Sequence, residues 1–239
     1  MTITMYYFQH FNPQNINSER AHCPKHFTDL LRTFLLPSSF DFVQEGDDIG
    51  HLYSASQLSE GRLVFEVSGS KCLLDLEFDK GLLKMSCFHV YDTTKIYMRN
   101  IVAFEECHIS GQDYISQYLT ILDFLINTEK DVSILVDKKI IVNLMGDANA
   151  VATMVNNLCK NVPMTRLNSK YLSICNGLNG LYENPRNKYK AIFVHEYFNT
   201  PWKIASTITA VLLVLFTFRL YVQYGHYLYN DTINIFVMC

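Results

Sequence analysis

The first side chains to consider are those that could bind a metal ion. His22, Cys23 and His26 form a C-x-x-H arrangement with a second histidine directly before it. Structural zinc sites normally use four cysteine or histidine ligands, and no second pair at this spacing occurs in the sequence. We therefore interpret the cluster as incidental and expect no bound metal.

Two further groups combine acidic side chains with a histidine. Asp47, Asp48 and His51 lie in a stretch with the composition of a loop, and we interpret them as a solvated turn. The sequence EECH at residues 105–108 places two acids, a thiol and an imidazole in succession. Because successive residues of a helix point in different directions, we expect Cys107 to face the core and both acids to face solvent.

Motifs for catalysis or nucleotide binding are lacking. The sequence contains no G-x-S-x-G, no phosphate loop, no dinucleotide fingerprint and no H-E-x-x-H. Gly177 and Gly180 lack the preceding strand that a cofactor loop requires. We therefore expect no catalytic residue and no cofactor. A membrane-associated enzyme with a site assembled from scattered residues, such as Asp92 or His108, is the alternative.

The longest apolar stretch lies at residues 204–222, and it suits a membrane-spanning helix. Its nineteen residues would rise about 28 Å, close to the ~30 Å hydrocarbon thickness of a bilayer. Pro201 suits the first helical position, so the span is predicted at residues 201–222, with a buried core helix as the alternative. The predicted anchor residues are Trp202, Ile204, Val211, Leu213, Leu215, Phe218 and Arg219.

The charges around this stretch predict its orientation. Four basic residues precede it, whereas no lysine or arginine follows Arg219. The positive-inside rule then places the amino-terminal domain in the cytoplasm, at the plasma membrane or an endomembrane, and residues 223–239 outside or in a lumen. The first residues lack the features of a signal peptide, and seven widely spaced cysteines fit reduced thiols in the cytosol. The basic residues are Arg186, Lys188, Lys190 and Lys203.

Overall charge narrows the classes of partner. The net charge is −3, with both signs mixed along the chain. Without a basic surplus we expect no nucleic-acid partner. The expected partners are the lipid bilayer and an unidentified protein.

A change of hydrophobic period separates a small sheet from the helices. Residues 1–24 are predicted to be an irregular leader, followed by a domain at residues 25–200. Within it, residues 62–91 alternate apolar and polar side chains, which predicts a three-stranded antiparallel sheet, the only one in the chain. Asp79, Lys80 and Gly81 are predicted to form a three-residue turn before its third strand.

Helical spacing of apolar residues predicts the rest of the domain. Thr128 and Asp131 match a capping box, and Asp147 is predicted to cap the following helix. The fold class is therefore α+β, mainly α-helical, with a small three-stranded antiparallel sheet and one carboxy-terminal transmembrane helix. Helices are predicted at about residues 25–36, 53–60, 93–107, 112–128, 129–136, 148–159, 169–182 and 186–197.

Several phrases, taken in order, resemble the plant proteins grouped as domain of unknown function 247. GRLVFEV, LLDLEFDKGLLKM, RNIVAFEECH, LINTEKDVSILV and above all YFNTPWKIASTITAVLLVLFTF resemble the carboxy-terminal half of that family. KHFTDLLRTFLLPSS resembles the segment before it, so the resemblance covers about residues 25–218. It implies a plant origin, a mostly helical cytoplasmic or surface-associated domain and a single membrane span.

The resemblance also bears on function. The family has no established enzymatic activity, and some grass members are linked with self-incompatibility, which implies recognition or signalling between cells. It further implies a long amino-terminal region that is missing here. In two places this chain departs from the family: Ser86 and Cys87 replace a frequent proline pair, and Lys139 replaces a frequent glycine before paired isoleucines.

These observations lead to one functional prediction. We expect a membrane-anchored plant protein that acts as a non-catalytic interaction or signalling module. A membrane-associated enzyme and a truncated, non-functional copy are the alternatives.

Overall fold

The structure, a computed structural model, describes residues 11–16, 24, 26–37, 47–109, 111–160, 166–185 and 201–237. Most of the predicted leader and the predicted helix at 186–197 lie outside these residues. The chain divides into two units, Met1–Asn187 and Lys188–Cys239, and each is described separately.

Helices dominate the first unit, in agreement with the sequence prediction. Ser54, Asp147 and Asn168 cap three of them through their side chains. The capping box predicted at Thr128 and Asp131 is present. Within the described part of this unit, the helices are α1 (Phe27–Leu35), α2 (Ala55–Glu60), α3 (Thr94–His108), α4 (Tyr114–Leu125), α5 (Glu129–Asp137), α6 (Ala148–Asn156) and α7 (Ser169–Glu183).

The three-stranded sheet is mixed, so the prediction of a purely antiparallel sheet is wrong. Its strands are β1 (Val64–Val67), β2 (Leu76–Asp79) and β3 (Leu82–Met85), in the order β1-β3-β2. The β2 and β3 strands form an antiparallel hairpin, whereas β1 pairs parallel with β3. The alternation of residues along each strand reports burial, but it carries no information about strand direction. The loop between β1 and β2 therefore decides the direction of β1.

A second sheet is present, so the prediction of a single sheet is wrong. Its strands are β4 (Phe88–Val90) and β5 (Ile141–Asn143), which pair parallel. The sequence at 82–91 indicates one continuous strand, but Ser86 and Cys87 interrupt it, and β4 pairs with a different part of the chain. Because β5 has only three residues, it is too short to show a periodicity.

Two tight turns depend on backbone in the left-handed region. The hairpin between β2 and β3 has two central residues, Lys80 at φ +45° and Gly81 at φ +86°, and not the three predicted. Positive φ at both positions is the type I′ geometry that suits the twist of a hairpin. Lys139, which ends the turn before β5, has φ +59°.

The core of the first unit surrounds α4. Eight of the twelve residues of this helix are buried. The apolar stripe predicted from its sequence is confirmed, because each member is at most 1% exposed. These residues are Ile115, Tyr118, Leu119, Leu122, Leu125 and Ile126.

The second unit contains α8 (Pro201–Val237), a helix of 37 residues. Its start at Pro201 agrees with the predicted first helical position. It continues beyond the predicted end at residue 222, and at 1.5 Å per residue it is about 55 Å long. Its side chains are described from residue 202 to residue 223.

Candidate functional site

The exposed surface of α8 is the first candidate site. Between Trp202 and Gln223 the helix has a mean hydropathy of 1.8, and none of this stretch is buried. It is long and apolar enough to cross a membrane by length and composition. The predicted anchor residues Trp202, Ile204, Val211, Leu213, Leu215, Phe218 and Arg219 are all exposed on it.

Serine and threonine hydroxyl groups on this helix donate to carbonyls of the same helix. Ser206 donates a hydrogen bond to the Lys203 carbonyl over 3.0 Å. Thr209 and Thr217 donate to the carbonyls of Ala205 and Val214, over 2.8 and 2.9 Å. A polar side chain in hydrocarbon must find its partner in the protein. These hydroxyls are therefore compatible with an apolar environment.

A buried ion pair joins α1 to α3. Arg32 Nε lies 2.8 Å from Glu105 Oε1, and the two side chains are 5% and 0% exposed. The Glu105 carboxylate also accepts hydrogen bonds from the backbone N–H groups of Ile115 and Ser116 and from the Ser116 hydroxyl. Asp113, the N-cap residue of α4, makes no capping bond with its side chain. Glu105 therefore caps α4 from another helix.

The expectation for residues 105–108 is therefore wrong for Glu105 and Cys107, whereas Glu106 is exposed as predicted. Glu105 is buried, whereas Cys107 is exposed. A signal for this was present, because Met98, Ile101 and Val102 precede Glu105 at seven, four and three residues, the spacing of one helical face. A carboxylate on an apolar helical face requires a buried partner.

Glu105 is buried, as many catalytic acids are, but its contacts are those of a side chain that stabilises the fold. Burial raises the pKa of its carboxyl group, and hydrogen bonds from Ser116 and the charge of Arg32 oppose that rise. Both carboxylate oxygens accept hydrogen bonds from the protein. With no exposed surface, this carboxylate cannot reach a substrate.

Four thiol groups in the described residues are poorly suited to nucleophilic chemistry. Burial raises the pKa of Cys72 and Cys87. It raises the pKa of Cys159 to about 11 and that of Cys175 to about 12. Because the thiolate is the reactive form, these four cysteines are mostly protonated at neutral pH and react slowly.

Two of the predicted clusters meet at one ring contact, between His26 and His108. His22 and Cys23 are outside the described residues, and the His26 ring lies edge-on to His108 with centroids 6.5 Å apart. Within the described residues, no three His, Cys, Asp or Glu side chains are grouped as a metal site requires. Asp47 and Asp48 are exposed.

A cavity of about 390 Å³ opens on the first unit. It lies between the segment 11–16, helices α1 and α3, the loop before β2, and strand β4. Leu73, Phe88, Met98 and Ile101 line its inner part and are buried. Apolar walls of this kind are typical of a small-molecule site.

Two polar side chains lie near the mouth of the cavity. Lys71 and His89 are exposed there, and the His89 Nδ1 atom lies 3.9 Å from the Cys87 sulfur. None of the described residues that line the cavity is acidic. Lys71 is therefore the only lysine, arginine, aspartate or glutamate among the described lining residues.

Two hydroxyl groups of the first unit are buried. Within the described residues, Ser86 Oγ and Tyr118 Oη have no hydrogen-bond partner. Burial raises the pKa of Tyr118, and the neighbouring thiols Cys72 and Cys87 raise it further.

Comparison with known proteins identifies the family. The sequence matches the family model DUF247, described as a plant protein of unknown function, over residues 1–216. The chain belongs to this family. The predicted resemblance to DUF247 is thus confirmed, and it extends to the first residue of the sequence.

Curated relatives of this DUF247 chain come from Arabidopsis thaliana. It is 25% identical to UPF0481 protein At3g47200 over 227 residues, which covers 83% of this chain and 47% of the relative. It is 24% identical to putative UPF0481 protein At3g02645 over 164 residues, which covers 68% of this chain and 31% of the relative. The chain therefore spans less than half the length of either relative. No solved structure matches it.

Proposed function

We propose that this chain is a single-pass membrane protein whose first unit recognises a partner and performs no catalysis. The observation that carries the proposal is the apolar surface of α8, where Trp202 is 85% exposed and Phe218 is 66% exposed. A soluble protein rarely exposes so long an apolar surface. Lipid is the environment that matches it.

Insertion of this helix is favourable on energetic grounds. Residues 204–218 include nine leucine, isoleucine, valine or phenylalanine residues, each contributing about −0.3 to −0.6 kcal/mol at the centre of a membrane helix. Arg219 opposes insertion, but it lies near one end of the span and can extend its charge to the headgroups. The balance favours a span modestly.

Charge asymmetry supports a cytoplasmic first unit. Arg186, Lys188, Lys190 and Lys203 precede the apolar stretch, and no basic residue follows Arg219. By the positive-inside rule, the basic side stays in the cytoplasm. The family resemblance supports recognition or signalling as the task of that unit.

The contacts in the first unit support a non-catalytic role. The buried carboxylates of Glu105 and Asp131 accept hydrogen bonds from helix N–H groups. Burial raises the pKa values of the Cys159 and Cys175 thiols. The cavity offers an apolar surface and a lysine near its mouth, which suit binding better than acid–base chemistry.

Protease digestion of sealed vesicles tests the span and its orientation together. The full chain is given a different epitope at each end and is inserted into microsomes. We expect the amino-terminal epitope to be digested and the carboxy-terminal one to be protected until detergent is added. In a variant with Lys188→Glu and Lys190→Glu, we expect mixed orientation. Protection of the amino-terminal epitope in the wild type would overturn the orientation, and loss of both epitopes would overturn the span.

A substrate panel tests the absence of catalysis. The purified full chain is incubated with phosphate, ester and glycoside substrates, and we expect turnover no faster than in a buffer blank. Turnover that follows the protein through purification would contradict the proposal. It would favour the enzyme alternative instead.

A further inference from the structure

The cavity of the first unit has the size and walls of a ligand site. Its volume of about 390 Å³ falls in the range of roughly 300–1,000 Å³ that is typical for small molecules. Phe11 and Tyr97, which both line it, meet edge-on with ring centroids 5.0 Å apart. Such walls favour a compact ligand with an apolar, ring-containing body.

The lysine at the mouth of the cavity has no acidic residue beside it in the described lining. Lys71 is exposed there, and the described lining residues include no Asp or Glu. An ammonium group in this position would make a charge-assisted hydrogen bond to an anion. A single lysine suits a ligand with one negative charge, in contrast to a nucleotide with several.

The loop that carries Lys71 is held in place on both sides. The Ser68 hydroxyl accepts from the Ser70 N–H over 3.1 Å, and the Ser70 hydroxyl accepts from the Cys72 N–H over 3.2 Å. The Cys72 thiol in turn reaches the Leu35 carbonyl of α1 at 3.6 Å. Because the loop is ordered before a ligand arrives, little entropy is lost on binding.

We propose that this cavity binds a small, mostly apolar carboxylate. Its apolar body lies against Phe88, Met98 and Ile101, and its carboxylate lies at the mouth beside Lys71. The proposal goes beyond the recognition role, because it names a ligand class. It is also independent of the membrane helix, so each can fail without the other.

A thiol footprint tests occupancy of the cavity. The full chain in lipid nanodiscs is treated with a maleimide at pH 8, with and without 4-phenylbutanoate, and labelling is measured at each cysteine by mass spectrometry. Cys87 lines the cavity, whereas Cys107 is exposed and lies outside the lining. We expect 4-phenylbutanoate to slow labelling of Cys87 at least threefold and to leave Cys107 unchanged. Equal labelling of Cys87 with and without 4-phenylbutanoate would overturn the proposal. The same result is expected if another part of the chain fills the cavity, and it would overturn the proposal in that case too.

A charge variant tests the position of the carboxylate. Lys71→Gln should weaken 4-phenylbutanoate binding about tenfold, the usual loss when a hydrogen bond to a charged group is removed. The uncharged 4-phenylbutanol should bind both proteins within twofold. Lys95→Gln, an exposed lysine of α3 outside the lining, should bind the carboxylate like the wild type. Wild-type affinity in Lys71→Gln, or equal affinity of the wild type for the acid and the alcohol, would overturn the assignment of Lys71.

Discussion

Arg32 and Glu105 form an ion pair of 2.8 Å with almost no exposure to solvent. The guanidinium also donates to the Gln112 carbonyl, so the pair connects α1, α3 and the segment that leads into α4. The connection crosses 73 positions of sequence. The Glu105 carboxylate, from α3, caps the first turn of α4 in place of a residue at the start of α4 itself.

Glu105→Gln should reduce the free energy of unfolding by about 3–5 kcal/mol, because it leaves the buried Arg32 charge without a counter-charge. Urea unfolding of the full chain in detergent micelles, followed by circular dichroism, measures the loss. Glu66→Gln is the matched control. Its pair with Lys84 is 3.9 Å long and exposed, so the loss there should stay below about 1 kcal/mol. A loss in Glu105→Gln no larger than in the control would contradict the structural role of the pair.

Asp131 should make stability depend on acid pH. Burial alone raises the pKa of its carboxyl group, but hydrogen bonds from Ser56, Thr128 and Ser54 outweigh burial and hold the pKa below its ordinary value. Because its pKa is lower in the folded state, the Asp131 carboxylate stabilises the fold at pH values above its unfolded pKa of about 3.9. This stability is lost as the pH falls through the folded value.

The comparison of Asp131→Asn with the wild type checks this. The wild type should be more stable at pH 6, and the difference should shrink as the pH falls below about 4. Asp137→Asn, an exposed residue of the same helix, controls for the substitution itself. A constant difference between Asp131→Asn and the wild type from pH 6 to pH 2.5 would refute the assignment.

Alanine substitutions at two glycines of α7 should change the free energy of unfolding in opposite directions. A Cβ atom at Gly177 would lie 2.7 Å from Phe78 Cε1, whereas none of the described atoms lies within 4 Å of one at Gly180. Gly177→Ala should therefore lower the free energy of unfolding by about 1–3 kcal/mol. Gly180→Ala should raise it by up to about 1 kcal/mol, because alanine is the better helix former. Thermal unfolding of both variants measures the contrast, and stabilisation by Gly177→Ala would show that α7 does not approach β2 this closely.

Lys139 should be replaceable by glycine with a gain in stability. At φ +59° a residue with a Cβ atom destabilises the fold by about 1–2 kcal/mol, and glycine removes this strain. Glycine also makes the unfolded chain more flexible, which offsets about 0.4–1 kcal/mol of the stabilisation. Lys139→Gly should therefore stabilise the fold by about 0.5–1 kcal/mol in urea unfolding. Lys138→Gly, at φ −85°, should destabilise it by a similar amount. Equal effects of the two substitutions would contradict the turn geometry.

Local signals predicted the parts of the fold that depend on neighbouring residues. The stripe on α4 and the capping box at Thr128 and Asp131 are set by spacings of three and four residues, and both are present. The φ of +59° at Lys139 likewise accounts for the glycine that the family resemblance places there. Each of these features is complete within a few residues of chain.

Features that depend on distant residues were missed. The parallel pairing of β1 with β3 and of β4 with β5 depends on connections whose path the strand sequences do not specify. Glu105 appeared to be a surface acid because Arg32 lies far away in sequence, although its place on the apolar face of α3 indicated burial. The cavity also combines five segments, so no single stretch of sequence indicates it.

Extraction of membranes with alkaline carbonate tests the central claim most directly. Val211→Arg combined with Leu215→Arg adds two charges near the centre of the span, each costing about 2.5–3.5 kcal/mol, and the protein should then appear in the supernatant. Tyr221→Arg, near the end of the span, serves as the control and should stay in the pellet, because its charge can reach the headgroups. We expect the wild-type chain to remain in the membrane pellet, and its release by carbonate would contradict a membrane-spanning α8.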